Sequence, residues 1–231
     1  MKLTWFGHSA FRIDVEGAVI LIDPFLDNPT FHGDRKAAVA GVTHVVLTHG
    51  HDDHIGSAPE ICRDTGAVLV ANPEVCTLLE GRGVARTEHI NHGGALDLGA
   101  FRIAYVPAWH SSSTTIDGVP VYLGNPGGVV IRAPGERTLL HMGDTGIFEG
   151  MKLIDEIYAP QIGIVPIGDR FTMGPKLAAL ACRRFFHFET VIPCHYETFG
   201  LLHGKLEDFE RDMAGSGSEI LVPARGVAVE V

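Results

Sequence analysis

His49-Gly50-His51-Asp52-Asp53-His54 gathers three imidazoles and two carboxylates into six residues, directly after the apolar run Val45-Val46-Leu47-Thr48. A packed core does not tolerate that density of polar groups, and ionisable groups crowded so closely repel or desolvate one another. The cluster reads as a metal site. Residues two apart on an extended segment point the same way, so His49 and His51 can grip one ion together. If the chain turns into a helix at Ile55-Gly56, Asp53 and His54 swing to the other side of the loop, where they can bind a second ion. Asp52 falls between the ligand positions and is expected to serve as a turn or helix-capping residue.

Such a loop needs a frame. Short β-like runs occupy Leu3 to Phe6, Phe11 to Val15, Val19 to Ile22, Val45 to Thr48, Val68 to Ala71 and Phe101 to Val106 in the first half. The second half adds Val129 to Arg132, Thr138 to Met142, Ile162 to Pro166, Thr190 to Pro193, Glu219 to Val222 and Val227 to Val231. Several are bounded by Gly, Pro or Asp, and two alternate apolar with polar or small residues, as half-buried antiparallel strands do. Helical patterns cover Ala58 to Thr65, Pro73 to Gly81, Gly150 to Tyr158, Pro175 to Phe186 and Lys205 to Met213, with Pro near the start of some and Gly beyond others. Strand runs in both halves with helices interspersed predict two sheets packed face to face and covered by helices, a four-layer α/β/β/α sandwich. At 231 residues the chain suits one large domain, residues 1–231.

Two ions need more ligands than one hexapeptide supplies. His110, Asp144 and His195 each lie just beyond a strand run, where loops can present side chains at one edge of a sandwich without disturbing its core. Taken singly each has a bland reading as a surface or turn residue, and the hexapeptide reverses that reading. Asp23 also follows a strand and can accept the remaining ring N–H of a ligand histidine, which fixes the tautomer. His8, in a tight Gly7-His8-Ser9 segment after the first strand, is expected behind a ligand or against substrate. His32, His44, His89, His92, His141, His187 and His203 are left as structural or surface residues.

The composition narrows the class. With 45% hydrophobic and 20% charged residues, 28 Gly and 13 Pro, the chain is an ordinary globular sequence with many turns. A formal charge of −10, with Lys and Arg scattered, makes nucleic acid a poor partner. Cys62, Cys76, Cys182 and Cys194 show no C-x-x-C spacing and no disulfide-scaffold density, and read as reduced thiols. There is no apolar run of signal-peptide or membrane-spanning length, so no membrane partner is expected and the cytoplasm follows by default.

With these residues in place the chain resembles the metallo-β-lactamase superfamily, whose H-x-H-x-D-H hallmark is met by His49, His51, Asp53 and His54. That resemblance implies a first ion on His49, His51 and His110, a second on Asp53, His54 and His195, and Asp144 as their bridge. Gly7-His8-Ser9, Ile22-Asp23-Pro24-Phe25, the run from Pro166 to Pro175 and Pro193-Cys194-His195-Tyr196-Glu197-Thr198-Phe199 further resemble the UPF0173 group of metal-dependent hydrolases, close to the ascorbate-6-phosphate lactonase branch. The group often has Gly at the position of Asp169 and Asn at that of Glu197. Both departures add negative charge beside the expected pocket and argue against borrowing an anionic substrate from relatives. A homo-oligomer is implied by resemblance alone.

Two bridged divalent ions normally share a water, whose pKa falls to about 7, so a hydroxide nucleophile forms at neutral pH. Hydrolysis is the predicted reaction, with remaining coordination stabilising the developing oxyanion. The resemblance implies Asp53 as the proton shuttle to the leaving group. A histidine and carboxylate set accepts zinc, manganese, iron or nickel; zinc is the default and manganese the chief competitor. Similarity to the lactonase branch favours a small-molecule ester or lactone, with a phosphodiester as the alternative. Arg170 is a candidate for pairing with a substrate anion, against an internal salt bridge to Asp169 or another acid, and Tyr196 either meets substrate or packs. A mononuclear iron persulfide dioxygenase-like oxidoreductase and a non-catalytic metal binder are the remaining alternatives.

Overall fold

The computed structural model describes residues 1–231. Its first sheet begins with β1 (Lys2–Trp5), β2 (Phe11–Val15), β3 (Ala18–Ile22), β4 (His44–Val46), β5 (Val68–Ala71) and β6 (Thr87–His89). Helices α1 (Arg35–Val39), α2 (Asp52–Ile55), α3 (Ala58–Thr65) and α4 (Pro73–Glu80) are threaded between those strands. The second sheet takes β7 (Ala95–Asp97) and β8 (Arg102–Pro107); after a separate hairpin of β9 (Ser113–Ile116) and β10 (Val119–Tyr122) it continues with β11 (Gly127–Arg132) and β12 (Leu139–His141). Helix α5 (Met151–Tyr158), β13 (Ile162–Pro166), α6 (Pro175–Phe185), β14 (Thr190–Cys194), α7 (Leu206–Met213) and β15 (Glu219–Ile220) follow. The last strand, β16 (Ala228–Glu230), returns to the first sheet beside β1. Each sheet has seven strands, in the orders β16-β1-β2-β3-β4-β5-β6 and β15-β14-β13-β12-β11-β8-β7.

The layering follows from strand alternation. On β3, Ile20 and Ile22 join the core between the sheets while Leu21 joins the core on the opposite face. On β4 and β5, Val46 and Val70 face the other sheet, and Val45, Leu69 and Ala71 face Ile61, Cys62, Val75 and Leu79 of α3 and α4. Neighbouring side chains on a strand point to opposite faces, so a run apolar at every position must be covered on both. Ile154 of α5, Ala178 and Cys182 of α6 and Phe209 of α7 extend the inter-sheet core beyond the second sheet. The result is the expected α/β/β/α sandwich.

The pairing directions place the site. In the first sheet β1 is antiparallel to β2, β2 to β3, and β4 runs parallel to β3. In the second, β8 is antiparallel to β11, β11 to β12, and β13 and β14 run parallel to β12. Strands β1, β3 and β4 therefore all end at one edge of their sheet, and β8, β12 and β14 at one edge of theirs. His8, Asp23, the hexapeptide, His110, Asp144 and His195 all lie just beyond these six ends.

Two local expectations are corrected. The helix after the ligand loop begins at Asp52 rather than at Ile55-Gly56, and Gly56, at φ 43°, ends it. His51 is its N-cap and makes no side-chain capping bond. Asp52 is thus the first helical residue, and its carboxylate accepts a hydrogen bond from Thr114 Oγ1 at 2.6 Å instead of capping.

Candidate metal centre

His49, His51 and His110 form one cluster of ligand-capable atoms, and Asp53, His54 and His195 form a second that also includes His8. Asp144 lies between them. Its Oδ2 is 3.4 Å from His54 Nε2, 3.6 Å from His110 Nε2 and 3.0 Å from His195 Nε2. His49, His54, Asp144 and His195 are at most 2% exposed, so their polar atoms depend on what the protein itself supplies.

The supporting hydrogen bonds fix which ring nitrogens are free. Asp23 Oδ1 accepts from the Thr48 N–H at 2.8 Å, and its Oδ2 accepts from Thr48 Oγ1 at 2.6 Å and His54 Nδ1 at 2.7 Å. Thr48 Oγ1 has only one proton, directed to Asp23, so it accepts from His49 Nδ1 at 3.0 Å. Both histidines then hold Nδ1–H in these bonds, which leaves Nε2 as the nitrogen turned toward the cluster. His51 is reversed, with Nε2 3.3 Å from Ser111 Oγ and Nδ1 2.9 Å from His49 Nε2. Asp23 also lies near His49 and His54, but its bonds to Thr48 and His54 mark it as their orienting partner.

These atoms suit a cation. His54 Nε2, Asp144 Oδ1 and both ring nitrogens of His195 are buried without a hydrogen-bond partner, which native interiors rarely allow. Burial lowers the pKa of His49, His51 and His110, most strongly at His49, and so favours the neutral imidazole that donates a lone pair. Burial also opposes the charged form of His54, yet the carboxylates of Asp144, Asp23 and Asp53 outweigh it and raise that pKa well above the ordinary value. Burial likewise opposes ionisation of Asp144, and the His195 and His54 rings overcome it to hold the carboxyl well below its usual range. Concentrated negative charge with converging lone pairs is the donor set that Zn²⁺, Mn²⁺ or Fe²⁺ takes.

Backbone strain gathers at the same edge. Eight non-glycine residues have positive φ, and six of them are His8, Asp23, Asp169, Arg170, His195 and Glu197. A sparsely populated backbone region costs about 1–3 kcal/mol per residue and persists where surrounding structure enforces it. At His8 the enforcement is visible, because its carbonyl accepts from Trp5 Nε1 at 3.0 Å and from His195 N–H at 3.1 Å. Gly168 lets the neighbouring loop approach, since a Cβ there would overlap the His195 carbonyl oxygen.

His8 is fully buried, with Nε2 3.0 Å from Asp53 Oδ2 and Nδ1 3.0 Å from Thr198 Oγ1. Burial and the neighbouring His195 lower its pKa to about 4. The neutral ring that donates Nε2–H to Asp53 matches that setting and orients the carboxylate. Tyr196 lies elsewhere: it is 3% exposed and stacks on Trp5 at 5.7 Å in the inter-sheet core. Arg170 is exposed, makes no ion pair with Asp169, and holds its guanidinium 5.4 Å from the Phe171 ring centroid.

Several residues at the site had no recognised sequence signal. Thr48 and Thr198 are contacts of this kind. The β9–β10 hairpin brings Ser113, Thr114 and Thr115 to the open side of the cluster, and Ser112 Oγ accepts from Gly50 N–H at 3.0 Å to tie that hairpin to the ligand loop. Ile116-Asp117-Gly118-Val119 did carry a signal: Asp-Gly with both φ positive, 51° and 78°, is a strong two-residue hairpin turn.

The family is shown by comparison. The model described as the beta-lactamase superfamily domain matches residues 2–195, a span that runs from β1 through His195. A UPF0173 metal-dependent hydrolase of Methylocella silvestris is 59% identical over 227 residues, covering 98% of each chain. The chain belongs to the metallo-β-lactamase superfamily. Within it the UPF0173 group is its place, and it is a metal-dependent hydrolase. The solved structure of Igni18, a metallo hydrolase from Ignicoccus hospitalis, superposes with a TM-score of 0.88 at 36% identity, covering 100% of this chain and 98% of that one. An isothiocyanate hydrolase from Delia radicum gut bacteria shares the metallo-β-lactamase fold, with a TM-score of 0.80 at 19% identity over 100% of this chain and 99% of its own. No helix is long and apolar enough to cross a membrane.

Among the histidines left as structural, His141 bears on this superfamily site through the turn before Asp144. It is fully buried, accepts from Gly143 N–H through Nδ1 at 3.0 Å, and its Nε2 lies 3.2 Å from the Ser9 carbonyl. Only a neutral ring with Nε2–H fits both partners, and burial lowers its pKa from the ordinary imidazole value. The unfolded chain binds this proton more readily than the folded one, so stability from this group is full above about pH 6.5 and falls as the pH drops toward the depressed folded pKa. Urea unfolding of metal-stripped protein from pH 7.5 to 5 is expected to show a shallower acid loss for His141→Gln than for wild type. Parallel curves would show that His141 contributes no such linkage.

Proposed function

We propose that the chain hydrolyses a carboxylic ester or lactone at a binuclear site, with His49, His51 and His110 holding one divalent ion and Asp53, His54 and His195 the other. The observation that carries this reading is Asp144 Oδ2, set within 3.0–3.6 Å of nitrogens from both donor groups. Two such ions, when bound, acidify a water to a pKa of about 7 and polarise the carbonyl oxygen under attack. Zinc is the leading choice for this donor set, with manganese or iron as competitors.

The protein's own groups do the rest. Asp23 and Thr48 fix the His49 and His54 rings through Nδ1, so that Nε2 of each is directed at the cluster. Asp53 is one-third exposed toward the cleft. Its Oδ2 is engaged by His8, which leaves Oδ1 to receive a proton and pass it to the leaving alkoxide. Burial opposes ionisation of Asp53, but the His54 ring and the His8 hydrogen bond prevail and keep its carboxyl below the usual range. It is therefore ionised and able to accept a proton at neutral pH.

The test is a metal-replete preparation assayed in parallel on lactones, esters, thioesters, phosphodiesters and isothiocyanates, with metal per chain measured by elemental analysis. Turnover is expected on lactones or esters and loss of it on chelation. Preference for another class with two ions bound would refute the ester reading, and undiminished turnover by metal-loaded Asp53→Asn would remove the shuttle role.

A further inference from the structure

The open cleft over the cluster has a volume of ≈ 390 Å³, inside the usual range for small-molecule sites of about 300–1,000 Å³. His51, Asp53 and His195 lie at its base. Its lining includes an apolar wall of Phe171, Phe199 and Leu202 and the short hydroxyl side chains of the β9–β10 hairpin. Phe171 is 50% exposed and Phe199 37% exposed. Phe199 is positioned from behind by the edge of His8, 5.3 Å away, while Phe171 has Arg170 against its ring. Aromatic surface left open beside a reaction centre is surface that a ligand can cover.

The charged side chains that line the cleft are acidic. No lysine or arginine lines it, whereas Asp52 and Asp53 do. Asp169 and Glu197, both exposed, stand two residues before Phe171 and Phe199 in the chain and, like Arg170, lie outside the lining. Arg170 is the neighbouring cation, yet it is absent from the lining and makes no hydrogen bond that would aim it inward. The positive charge of bound ions would lie at the base with the scissile bond, so a carboxylate or phosphate remote from that bond would find no fixed counter-charge along the walls.

We infer that the physiological substrate is an uncharged ester or lactone bearing an apolar substituent that seats on Phe171, Phe199 and Leu202. This rests on the ester and lactone reading and specifies its substrate. Each methylene that reaches the wall is expected to raise kcat/KM about fourfold, the factor for burying one CH₂, until the cleft is filled. A terminal carboxylate on a chain of equal length lowers kcat/KM at least about tenfold, the effect of one unpaired polar group.

The experiment uses metal-loaded wild type, Phe171→Ala and Arg170→Ala with γ-lactones of increasing alkyl length and matched ω-carboxylate lactones. Phe171 is half-exposed, so its truncation leaves the core intact. Binding of non-hydrolysable 2-alkylcyclopentanones and their ω-carboxylate counterparts is measured by calorimetry on the same preparations, which needs no turnover. A steep chain-length dependence that flattens in Phe171→Ala, together with rejection of the carboxylates, supports the inference. A flat dependence overturns it, as does a preference for carboxylates that Arg170→Ala abolishes. If cyclopentanone binding rises with chain length while no lactone or ester is cleaved, the inference about the wall holds and the ester and lactone reading fails.

Discussion

Asp144→Asn is expected to lower kcat/KM for the best ester or lactone by at least about a thousandfold while leaving the fold intact. The substitution is nearly isosteric, so the loss is one of charge rather than of packing. Asp144 Oδ2 stands 3.4, 3.6 and 3.0 Å from ring nitrogens of His54, His110 and His195, and Oδ1 has no hydrogen-bond partner. A carboxylate there can share its charge between two cations, whereas an amide has one weaker acceptor oxygen and an NH₂ that would point at lone pairs or at a cation. If the chain holds two ions as proposed, metal content falls to one or fewer per chain in the variant. Two retained ions with turnover within tenfold of wild type would show that Asp144 does not bridge.

The reasons these residues meet were partly legible in the sequence. Ligand-rich positions stood out because each follows an apolar run, and a strand's direction determines where its end residue lies. The parallel step from β3 to β4 and the antiparallel steps around β11 bring those ends to one edge. Strands with dense Val, Ile and Leu were visible for the same reason that they are buried on both faces. Strand β6, Thr87-Glu88-His89, was not, since it is a mostly exposed edge strand with no apolar periodicity to detect. The start of α2 was misplaced because Asp53 and His54 carry ligand chemistry instead of a helical pattern. The walls of the cleft were illegible for a different reason. Phe171, Phe199 and Leu202 come from irregular loops after β13 and β14, and which side chain faces outward there depends on strained turns at Asp169, Arg170 and Glu197. Tyr196 and Phe199 fall in one loop, and only the tertiary structure decides that the tyrosine stacks on Trp5 while the phenylalanine lines the cleft.

The second large effect is on stability. Asp23 is fully buried and accepts three hydrogen bonds, two from Thr48 and one from His54 Nδ1. Asp23→Ala strands all three donors in a water-free interior, which costs about 3–5 kcal/mol. It also places alanine at φ 45°, a conformation that costs a non-glycine residue about 1–2 kcal/mol and that Asp or Asn tolerates better. Against a typical total of about 5–15 kcal/mol, that loss brings the metal-free protein to the margin of folding. For a chain of this size the thermal midpoint should drop by roughly 8–28 °C. Asp23→Asn keeps the backbone preference and one acceptor oxygen, so its drop should be about half as large. The two variants separate strain from function, because both lose the carboxylate that fixes the His54 tautomer. Metal affinity is therefore expected to fall about 10- to 100-fold in each, including in the better-folded Asn variant. Thr48→Val is the control: it removes one donor to Asp23 and the acceptor for His49 Nδ1, and should weaken metal binding with a smaller stability loss. If calorimetric metal titration gave Asp23→Asn wild-type affinity at a lowered midpoint, Asp23 would be a structural anchor with no part in orienting the histidines.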